Sequence, residues 1–400
     1  MMFNEIELSS VITDIAAGPF GSNLKVSCFV PHGFPIIDGA NLKGFKVTDN
    51  LTKFVTEDKA RSLGRSIARR GDVVVTISGT LGQIAYIPND SMFEEYLCSQ
   101  RQFRVSFDAT RVYVPYLVFY FHTNEGQSKI LAFANQTGVP ALSQPLKNFK
   151  KIRIHLPSYD EQRRIASVIE SINDKIDCNQ KINDNLYEMV NAYYTSLFRE
   201  NDCEMTTVGN YAERIYSGGT PMTSNAAYWN GTFGWFSSGE TRNRFVISTE
   251  KTITQAGIDN SSTKLAIKYD IVMASAGQGF TRGQTSMLLI DTYVNQSVIV
   301  IKSERNILPY LFWNLANRYD ELRAISDSSS IRGSLTTKMI AAFEIPLANE
   351  QSLQAFADFA WSVIPQIENN LLENERLTAL RDSLLPKLMS GEIDVSGIQL

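Results

Sequence analysis

Cysteine and histidine are scarce in this sequence, and the catalytic motifs that contain them are missing. The 400 residues include three histidines and four cysteines, with no CxxC spacing, which argues against a disulfide framework and against a structural metal site. HExxH and GxxxxGK[ST] are both absent, so nothing indicates a metalloprotease or a P-loop nucleotidase. We therefore expect a non-catalytic chain that binds no cofactor of its own.

Long apolar runs are also absent. No stretch approaches the roughly 18 apolar residues of a membrane-spanning helix, and the first ten residues carry two acids and no base, unlike a signal peptide. The composition is 44% hydrophobic and 20% charged, and 400 residues are too many for one ordinary domain. We expect a cytoplasmic protein of two or three packed units with no membrane partner.

One glycine-rich segment resembles a dinucleotide-binding fingerprint at first sight. In GQGFTRG (277–283) the third glycine comes one residue late, and no acidic residue follows where a ribose hydroxyl would be bound. Acidic pairs such as Glu94-Glu95 are more typical of solvated turns than of an acid–base pair. Neither pattern favours an enzyme.

Positive charge is concentrated at the start of the chain. The formal net charge of −4 argues by itself against nucleic acid. Segments 159–200 and 349–400 hold 16 acids and 8 bases between them, whereas residues 1–158 hold 17 bases and 13 acids. This excess suits a phosphate-binding surface, although an ordinary solvated surface explains it equally well.

Two segments have the apolar spacing of long amphipathic helices. Over residues 158–198 apolar residues recur with a period of about 3.5 to 3.6, and Ser158 with Glu161 matches a capping box. A similar stripe covers residues 349–389 and ends before Gly391, a helix stop. At about 1.5 Å per residue each helix would be roughly 60 Å long. We expect each helix to cover the apolar stripe of the other.

The sequence repeats itself at a spacing near 190 residues, which is the signature of two copies of one fold. The paired landmarks are Asp72 and Asp270, Gly79 and Gly277, Gln100 and Gln296, Pro115 and Pro309, Pro157 and Pro346, and Glu161-Gln162 and Glu350-Gln351. Their separation falls from 198 to 189 along the chain, as expected if the copies differ by a few loop residues.

Each copy consists of a globular part followed by a long helix. Short apolar runs at 73–77, 271–274 and 298–301 predict buried strands, and 114–122 and 308–322 have helical spacing. We predict an α/β (α+β) fold in which two tandem mixed domains are joined by two long antiparallel helices that form a coiled-coil spacer. The predicted boundaries are 1–157 and 201–347 for the domains, and 158–200 and 348–400 for the helices.

Glycine turns and polar loops provide candidates for ligand contact. A turn after a buried strand presents backbone N–H groups and small polar side chains, which suits phosphate, although a plain strand-ending turn is an equally good explanation. Arginine can pair with guanine and glutamine with adenine in the major groove, but each such loop taken alone is more often ordinary surface. The candidates are Ser78, Gly79, Thr80, Gln83, Arg101, Gln136, Thr137, Arg242, Arg244, Gln278, Arg282 and Arg332.

Four strings of the sequence match one family. They are GPFGSNLK (18–25) and SGGTP (217–221) near the start of each copy, LPSYDEQRRIA (156–166) at the first long helix, and LLPKLMSGEI (384–393) at the end of the second. Together they make nearly the whole chain resemble the specificity subunit of a Type I restriction-modification system. The second helix start, LANEQSLQA, lacks the basic pair that follows Glu-Gln in the first.

The resemblance implies a division of labour among subunits. Two target recognition domains would each read one half of a bipartite site on double-stranded DNA, and the helices would act as the spacer. The chain would be non-catalytic and would recruit two methyltransferase subunits and restriction subunits, which use S-adenosylmethionine, ATP and Mg²⁺. The matching strings add Lys25, Gly219 and Thr220 to the DNA-binding candidates.

Two other interpretations stay open at this point. A stand-alone DNA methyltransferase or nuclease with diverged motifs would act on DNA without partners, but no segment resembles the NPPY motif of an adenine methylase. A coiled-coil scaffold whose repeated domains bind protein would protect no DNA in a footprint, even with methyltransferase subunits present.

Overall fold

The chain forms two compact units. The computed structural model describes residues 4–135, 139–198, 204–277, 280–328 and 333–398. The first unit is Met1–Asp174 with Leu377–Leu400, and the second is Lys175–Arg376. The chain therefore passes between the units twice, and both crossings lie inside long helices.

The described part of the first unit contains three sheets and four short α-helices. Its strands are β1 (Asn4–Glu7), β2 (Ile12–Ala17), β3 (Phe29–Val30), β4 (Phe34–Ile37), β5 (Phe54–Val55), β6 (Ile67–Arg69), β7 (Val73–Thr76), β8 (Ile84–Tyr86), β9 (Glu95–Cys98), β10 (Gln102–Phe107) and β11 (Arg153–Leu156). Its short helices are α1 (Glu57–Ser62), α2 (Val114–Phe121), α3 (Asn124–Leu131) and α4 (Pro145–Lys150), and the long helix α5 (Tyr159–Leu197) follows. The strand orders are β2-β10-β7-β8, β3-β5-β4-β9-β6 and β1-β11.

The second unit repeats this plan with small changes. Its strands are β12 (Met205–Thr207), β13 (Ala212–Ser217), β14 (Trp229–Phe236), β15 (Phe245–Val246), β16 (Lys251–Ile253), β17 (Lys264–Ala266), β18 (Ile271–Ala274), β19 (Thr285–Leu288), β20 (Thr292–Val294), β21 (Val298–Ser303) and β22 (Glu344–Pro346). Its helices are α6 (Val208–Tyr211), α7 (Gln255–Asp259), α8 (Leu308–Asn317), α9 (Tyr319–Ser328) and α10 (Thr337–Ala341), followed by the long helix α11 (Glu350–Met389). The strand orders are β13-β21-β18-β19-β15, β16-β14-β20-β17 and β12-β22.

The same antiparallel strands form the centre of both units. β7 pairs with β8 and β10, and β18 pairs with β19 and β21 in the same way. Both central strands are buried along their whole length, which confirms the strands predicted from the apolar runs. The helical spacing at 308–322 forms two helices instead of one, because Arg318 leaves the helical region with φ −107° and ψ 31°.

The two copies correspond at a separation of 191 residues over their last third. The carbonyls of Ile152 and Phe343, 191 positions apart, accept equivalent backbone hydrogen bonds from the residues that follow β1 and β12. Ser158 and Asn349, which cap α5 and α11 at 3.4 and 2.8 Å, are also 191 positions apart. The two Glu-Gln pairs, matched by sequence at 189, are therefore not structurally equivalent.

Each end of the long helices is buried in the core of one unit. Ile169 of α5 and Leu388 of α11 lie in the core of the first unit. In the second unit Tyr187 of α5 stacks on Trp313 at 5.6 Å, and Phe356 of α11 packs against the same indole at 5.8 Å. Each such burial stabilises the fold by about 1.5–3 kcal/mol. The first half of α5 thus packs with the second half of α11 and the reverse, so the helices pair antiparallel. None of the described helices combines the length and apolar character that crossing a membrane requires.

The middle of the helix pair differs from the predicted apolar stripe. Ile182 and Met189, which the stripe includes, are 39% and 45% exposed, whereas Asn179 and Asn183 are 1% and 6% exposed. A periodicity that counts only apolar residues cannot identify amides as buried positions. Buried polar side chains therefore take part in the pairing in this stretch, beside apolar residues such as Ile367.

Gln162 anchors the start of α5 to the domain that precedes it. Its side chain is fully buried, and its amide donates to the carbonyls of Arg111 and Pro157 at 2.9 and 3.0 Å. Its amide oxygen accepts from the N–H of Tyr113 at 2.8 Å. Gln351, its match by sequence in the second copy, is exposed.

Replacing Gln162 with leucine should lower the free energy of unfolding by about 2–4 kcal/mol. Three backbone groups would lose their partner, one in a buried and two in part-buried hydrogen bonds, and each buried unpaired group costs about 1–3 kcal/mol. Gln351→Leu is the matched control, and because that residue is exposed its effect should stay within about 0.5 kcal/mol. Urea unfolding followed by near-UV circular dichroism measures both. Equal losses in the two variants would show that Gln162 is no anchor.

Candidate nucleic-acid interface

Most of the described residues singled out in the first half of the sequence meet in one open cleft. The cleft has a volume of about 550 Å³ and lies between the loop after β2, the β7–β8 turn and the residues before β10. Lys25 is exposed between Leu24 and Val26, which line the cleft. The candidates that line it directly are Ser78, Gly79, Thr80, Gln83 and Arg101.

Glycine allows the loop after β2 to pack against the residues before β10. A Cβ at Gly18 would collide with the carbonyl oxygen of Ser99, and one at Gly21 would lie 2.6 Å from the side-chain oxygen of Gln100. The N–H of Gly18 donates to the carbonyl of Gln102 at 2.8 Å. Close backbone approach therefore explains Gly18 of the GPFGSNLK string, whereas Gly21 meets only the far end of the Gln100 side chain.

The glycine turn after β7 is held in place by its own backbone. Gly79 and Gly82 have φ angles of +97° and +86°, which favour glycine. The N–H of Gly79 donates to the carbonyl of Pro140 at 3.0 Å. From the sequence we expected the N–H groups of this turn to face phosphate. The N–H of Gly79 is instead bonded within the protein, so the side chains of Ser78 and Thr80 are the better candidates for contact with phosphate.

Gln83 braces the floor of the cleft. Its Oε1 accepts from the hydroxyl of Thr76 at 3.0 Å, and its Nε2 donates to the carbonyl of Gly39 at 3.0 Å. Arg101, in contrast, is exposed, and its guanidinium has no ion-pair or hydrogen-bond partner within the described part of the chain. Arg101 is therefore available to a ligand, whereas the amide of Gln83 is engaged.

Lys53 is a cation of this cleft that sequence reasoning missed. It pairs with Asp38 at 2.6 Å, and both residues line the cleft. Burial acts to raise the pKa of Asp38, but hydrogen bonds from Lys53 and from the N–H of Ala40 outweigh it and hold that pKa below its usual value. The GPFGSNLK string includes Leu24, which also lines the cleft. No motif in the sequence identified Lys53 as a residue of the cleft.

The equivalent turn of the second unit has the same frame. Gly283 has a φ angle of +84°, close to the +86° of Gly82. The carbonyls of Ile77 and Ser275, which follow the central strands, each accept at 2.8 Å from the N–H of a buried leucine. The two turns are therefore built by the same backbone contacts.

Arg282 is occupied by contacts inside the second unit. Its guanidinium pairs with Asp327 at 2.6 Å, donates to the hydroxyl of Ser326 at 3.3 Å and bonds the carbonyl of Gly333. Its side chain is only 15% exposed. Arg282 thus braces the turn against α9, and contact between this residue and a base stays a prediction.

Gly219 and Thr220 tie the loop after β13 to the residues before β21. The N–H of Gly219 donates to the carbonyl of Val294 at 3.1 Å, and the Thr220 hydroxyl donates to the amide oxygen of Gln296. Gln296 is the sequence match of Gln100, which packs against the corresponding loop of the first unit. The same glutamine position therefore supports the first loop of both copies.

Arg242 and Arg244 lie in a different cleft, of about 540 Å³, between the loop before β15 and helix α5. The Arg244 guanidinium carbon lies 4.0 Å from the ring centroid of Tyr187, and Arg242 pairs with Glu250. Thr220 does not line this cleft. The described candidates of the second half are therefore divided between separate places, whereas most described candidates of the first half share one cleft.

Four candidates lie outside the described residues: Gln136, Thr137, Gln278 and Arg332. Their contacts with DNA stay predictions.

The aspartate that begins each Asp/Gly turn has a structural role. Asp72 accepts from the N–H of Arg69 at 2.9 Å, and Asp270 accepts from the N–H of Ile267 at 2.8 Å. Burial raises the pKa of Asp270 to about 6, despite that hydrogen bond and the Lys302 ammonium 3.7 Å away. Burial also raises the pKa of Asp72. Both carboxylates close the turn that leads into a central strand.

Within the described ranges, no group of three or more histidine, cysteine, aspartate and glutamate side chains is arranged to hold a metal ion. Cys98 is fully buried, and burial raises the pKa of its thiol to about 12. Its thiol is therefore in the neutral form, which is a poor metal ligand.

Comparison with known proteins identifies the domains. The family model described as Type I restriction modification DNA specificity domain matches residues 34–188 and again 202–375. The chain is 26% identical over 228 residues to the specificity subunit of Type I restriction enzyme EcoR124I/EcoR124II from Escherichia coli, a match that covers 54% of this chain and 56% of that protein. It is 20% identical over 406 residues to the HindI specificity subunit of Haemophilus influenzae, covering 81% and 87% of the two chains.

The fold has a counterpart among solved structures. The crystal structure of the Type I restriction-modification system S subunit from M. genitalium superposes with a TM-score of 0.58 over 96% of both chains, at 15% identity. This similarity concerns the fold.

One domain model that matches twice, in a chain that repeats itself, defines a protein built from two DNA specificity domains. The chain belongs to the Type I restriction modification DNA specificity family. Membership confirms the resemblance stated from sequence, the doubled mixed α/β fold with two long paired helices, and the interpretation of the chain as a non-catalytic DNA specificity subunit.

The raised pKa of Asp270 predicts a pH dependence of stability. Between about pH 4 and 6 the folded state holds a proton that the unfolded state, with a carboxyl pKa of 3.8, has released. The contribution of Asp270 to stability is therefore complete below pH 4 and is lost as the pH rises through 6, by at most about 1.4 kcal/mol per pH unit. Asp270→Asn should remove this component, because the amide oxygen can still accept from Ile267.

The measurement is the difference in unfolding free energy between wild type and Asp270→Asn at pH 4 to 8. Wild type should lose stability relative to the variant as the pH rises. A difference that does not change with pH would contradict the assignment.

Proposed function

We propose that this chain recognises a bipartite sequence on double-stranded DNA, with each target recognition domain reading one half-site. The observation that carries the proposal is the cleft of the first unit, where Arg101 is exposed beside the hydroxyls of Ser78 and Thr80. A guanidinium can form two hydrogen bonds to guanine, and hydroxyls can contact phosphate or base edges. The same loop frame is built again in the second unit, which supports a second half-site.

Charge supports the same proposal for the first domain. Residues 1–158 hold 17 basic and 13 acidic residues, whereas both helix segments are acidic. Phosphate contacts supply most of the sequence-independent affinity of DNA-binding proteins. Two modules of modest affinity also gain from linkage, provided that the spacer lets both reach the duplex at once.

In the proposed assembly, two methyltransferase subunits dock on this chain and use S-adenosylmethionine. Restriction subunits join through the complex and use ATP and Mg²⁺. The proposed limits are 1–157 and 201–347 for the recognition domains, and 158–200 and 348–400 for the spacer helices. Family membership supports assembly with other subunits. Footprinting of the complex should show two protected segments separated by a gap, and failure to bind any DNA with methyltransferase subunits present would overturn the proposal.

Arg101→Ala should weaken binding to the cognate duplex by about 1–3 kcal/mol if the guanidinium pairs with a base. In that case the slope of log affinity against log salt should change little. If Arg101 instead contacts phosphate, the slope should fall by about 0.9. Fluorescence anisotropy titrations at several salt concentrations separate the two contacts.

Arg153→Ala is the matched control for Arg101→Ala. Arg153 is also exposed and cationic, but it pairs with Glu5 at 3.5 Å and does not line the cleft. The control should bind like wild type. Equal losses in both variants would mean that only net charge matters.

Half-sites should respond independently to changes in the two domains. Arg101→Ala should relax selection in one half-site only, and Arg244→Ala should relax it in the other only. The same division is expected for Gln136 in the first domain and for Gln278 and Arg332 in the second. Methylation of randomised bipartite duplexes by the assembled complex, followed by sequencing, measures this. A single substitution that relaxed both half-sites would contradict the two-domain account.

A further inference from the structure

Buried amides form part of the contact between the long helices in the second unit, beside aromatic pairs such as Tyr193 and Phe359. Asn183, Asn179 and Asn370 are 6%, 1% and 6% exposed. The Nδ2 of Asn370 donates to the Oδ1 of Asn183 at 2.7 Å, and the Nδ2 of Asn179 donates to the Oδ1 of Asn374 at 2.8 Å. We call these four residues the asparagine clasp.

The clasp has a two-fold relation that follows the repeat. The Nδ2 of Asn183 donates to the carbonyl of Ile367 at 3.2 Å, and the Nδ2 of Asn374 donates to the carbonyl of Ile176 at 3.3 Å. A shift of 191 positions turns the first hydrogen bond into the second, and it also exchanges the two amide–amide bonds. Both helices therefore carry an Asn-x-x-x-Asn motif at the same place of the repeat, and each motif binds the other.

The clasp is not optimised for stability. The Oδ1 of Asn179 is buried and accepts no hydrogen bond in the part of the chain that is described. Leaving a buried polar atom unpaired costs free energy, and well-packed apolar side chains at such positions are often equally or more stable. Buried asparagine in a helix pair is best known for selecting one register at a cost in stability. We infer the same for the clasp: it selects one register of α5 and α11 at a cost in stability.

A change of register would break the clasp. If α11 slipped along α5 by one heptad, Asn183 would face Leu377 and Asn370 would face Val190. Four amides would then lie against partners that cannot satisfy them all. A heptad corresponds to about 10.5 Å along a helix, or roughly three base pairs of duplex.

The clasp lies next to the points where the chain crosses between the units. The chain crosses between the units at 174–175 and at 376–377, and Ile176 and Asn374 are bonded to each other next to those crossings. We propose that the asparagine clasp fixes the register of the two crossing helices and thereby sets the gap length that the two recognition domains accept. This rests on the proposed function.

The test replaces the central pair with leucine, as Asn183→Leu with Asn370→Leu. Wild-type complex with methyltransferase subunits should methylate duplexes of one gap length in preference to gaps one base pair longer or shorter. The double variant should lose this discrimination by about tenfold, while its melting temperature stays at or above that of wild type. A structural role alone would change stability and leave the gap preference intact.

Asn369→Leu is the matched control, because Asn369 is exposed and adjacent to Asn370 on the same helix. It should keep the wild-type gap preference. Asn183→Leu alone should melt lower than the double variant, since it leaves the Nδ2 of Asn370 without its acceptor. If the leucine pair fails to fold, Asn179→Ala with Asn374→Ala tests the other half of the clasp, and the same loss of discrimination is expected.

Two outcomes are distinguishable. If wild type methylates no bipartite duplex at any gap, the proposed function fails. If wild type prefers one gap and the folded clasp variants keep that preference unchanged, the inference about the clasp is wrong and the proposed function stands.

Discussion

Burial of two helices of about forty residues is the constraint on which the rest of the fold depends. An amphipathic helix of that length cannot cover its own apolar side, so α5 and α11 pair, and each end of the pair completes the core of one unit. Ile169 belongs to the first core and Tyr187 to the second. The loops with the candidate DNA contacts are therefore attached to domains whose cores already include the long helices, and a loop can change without disturbing the helix pairing.

In both copies the backbone contacts that hold the loops are separate from the side chains that the loops present. A Cβ at Gly18 would collide with the carbonyl oxygen of Ser99, and one at Gly218 with that of Val294 at the end of β20, so the frame requires glycine at both places. The carbonyls of Arg101 and Ser297 accept equivalent backbone hydrogen bonds at 2.6 and 2.8 Å, yet one side chain is a long cation and the other a short hydroxyl. The same frame thus presents different chemistry in each copy, which is the physical requirement for reading two different half-sites.

Patterns within one segment were predictable from sequence, and contacts between distant segments were not. The two long helices and strands β7 and β18 follow from apolar periodicity, and the repeat follows from the order of its landmarks. Gln83 donates a hydrogen bond to Gly39, and Arg282 donates one to Asp327. Both partners are distant in sequence and are brought close only by the fold. The Asn183–Asn370 bond joins residues 187 positions apart. Polar residues that the sequence suggests as DNA contacts can therefore turn out to make structural contacts inside the domain.

The overall charge of −4 does not decide whether the first domain can bind DNA. At physiological salt a surface charge acts over about 8 Å, so the local set of charges matters more than the sum. In the first cleft Lys53 and Asp38 neutralise each other as an ion pair, which leaves the Arg101 guanidinium as the unpaired charge among the described lining residues. One cation in an otherwise neutral cleft contributes little non-specific attraction. The role proposed for Arg101 is therefore directional, because a guanidinium in a fixed orientation can discriminate between bases that a diffuse positive surface would treat alike.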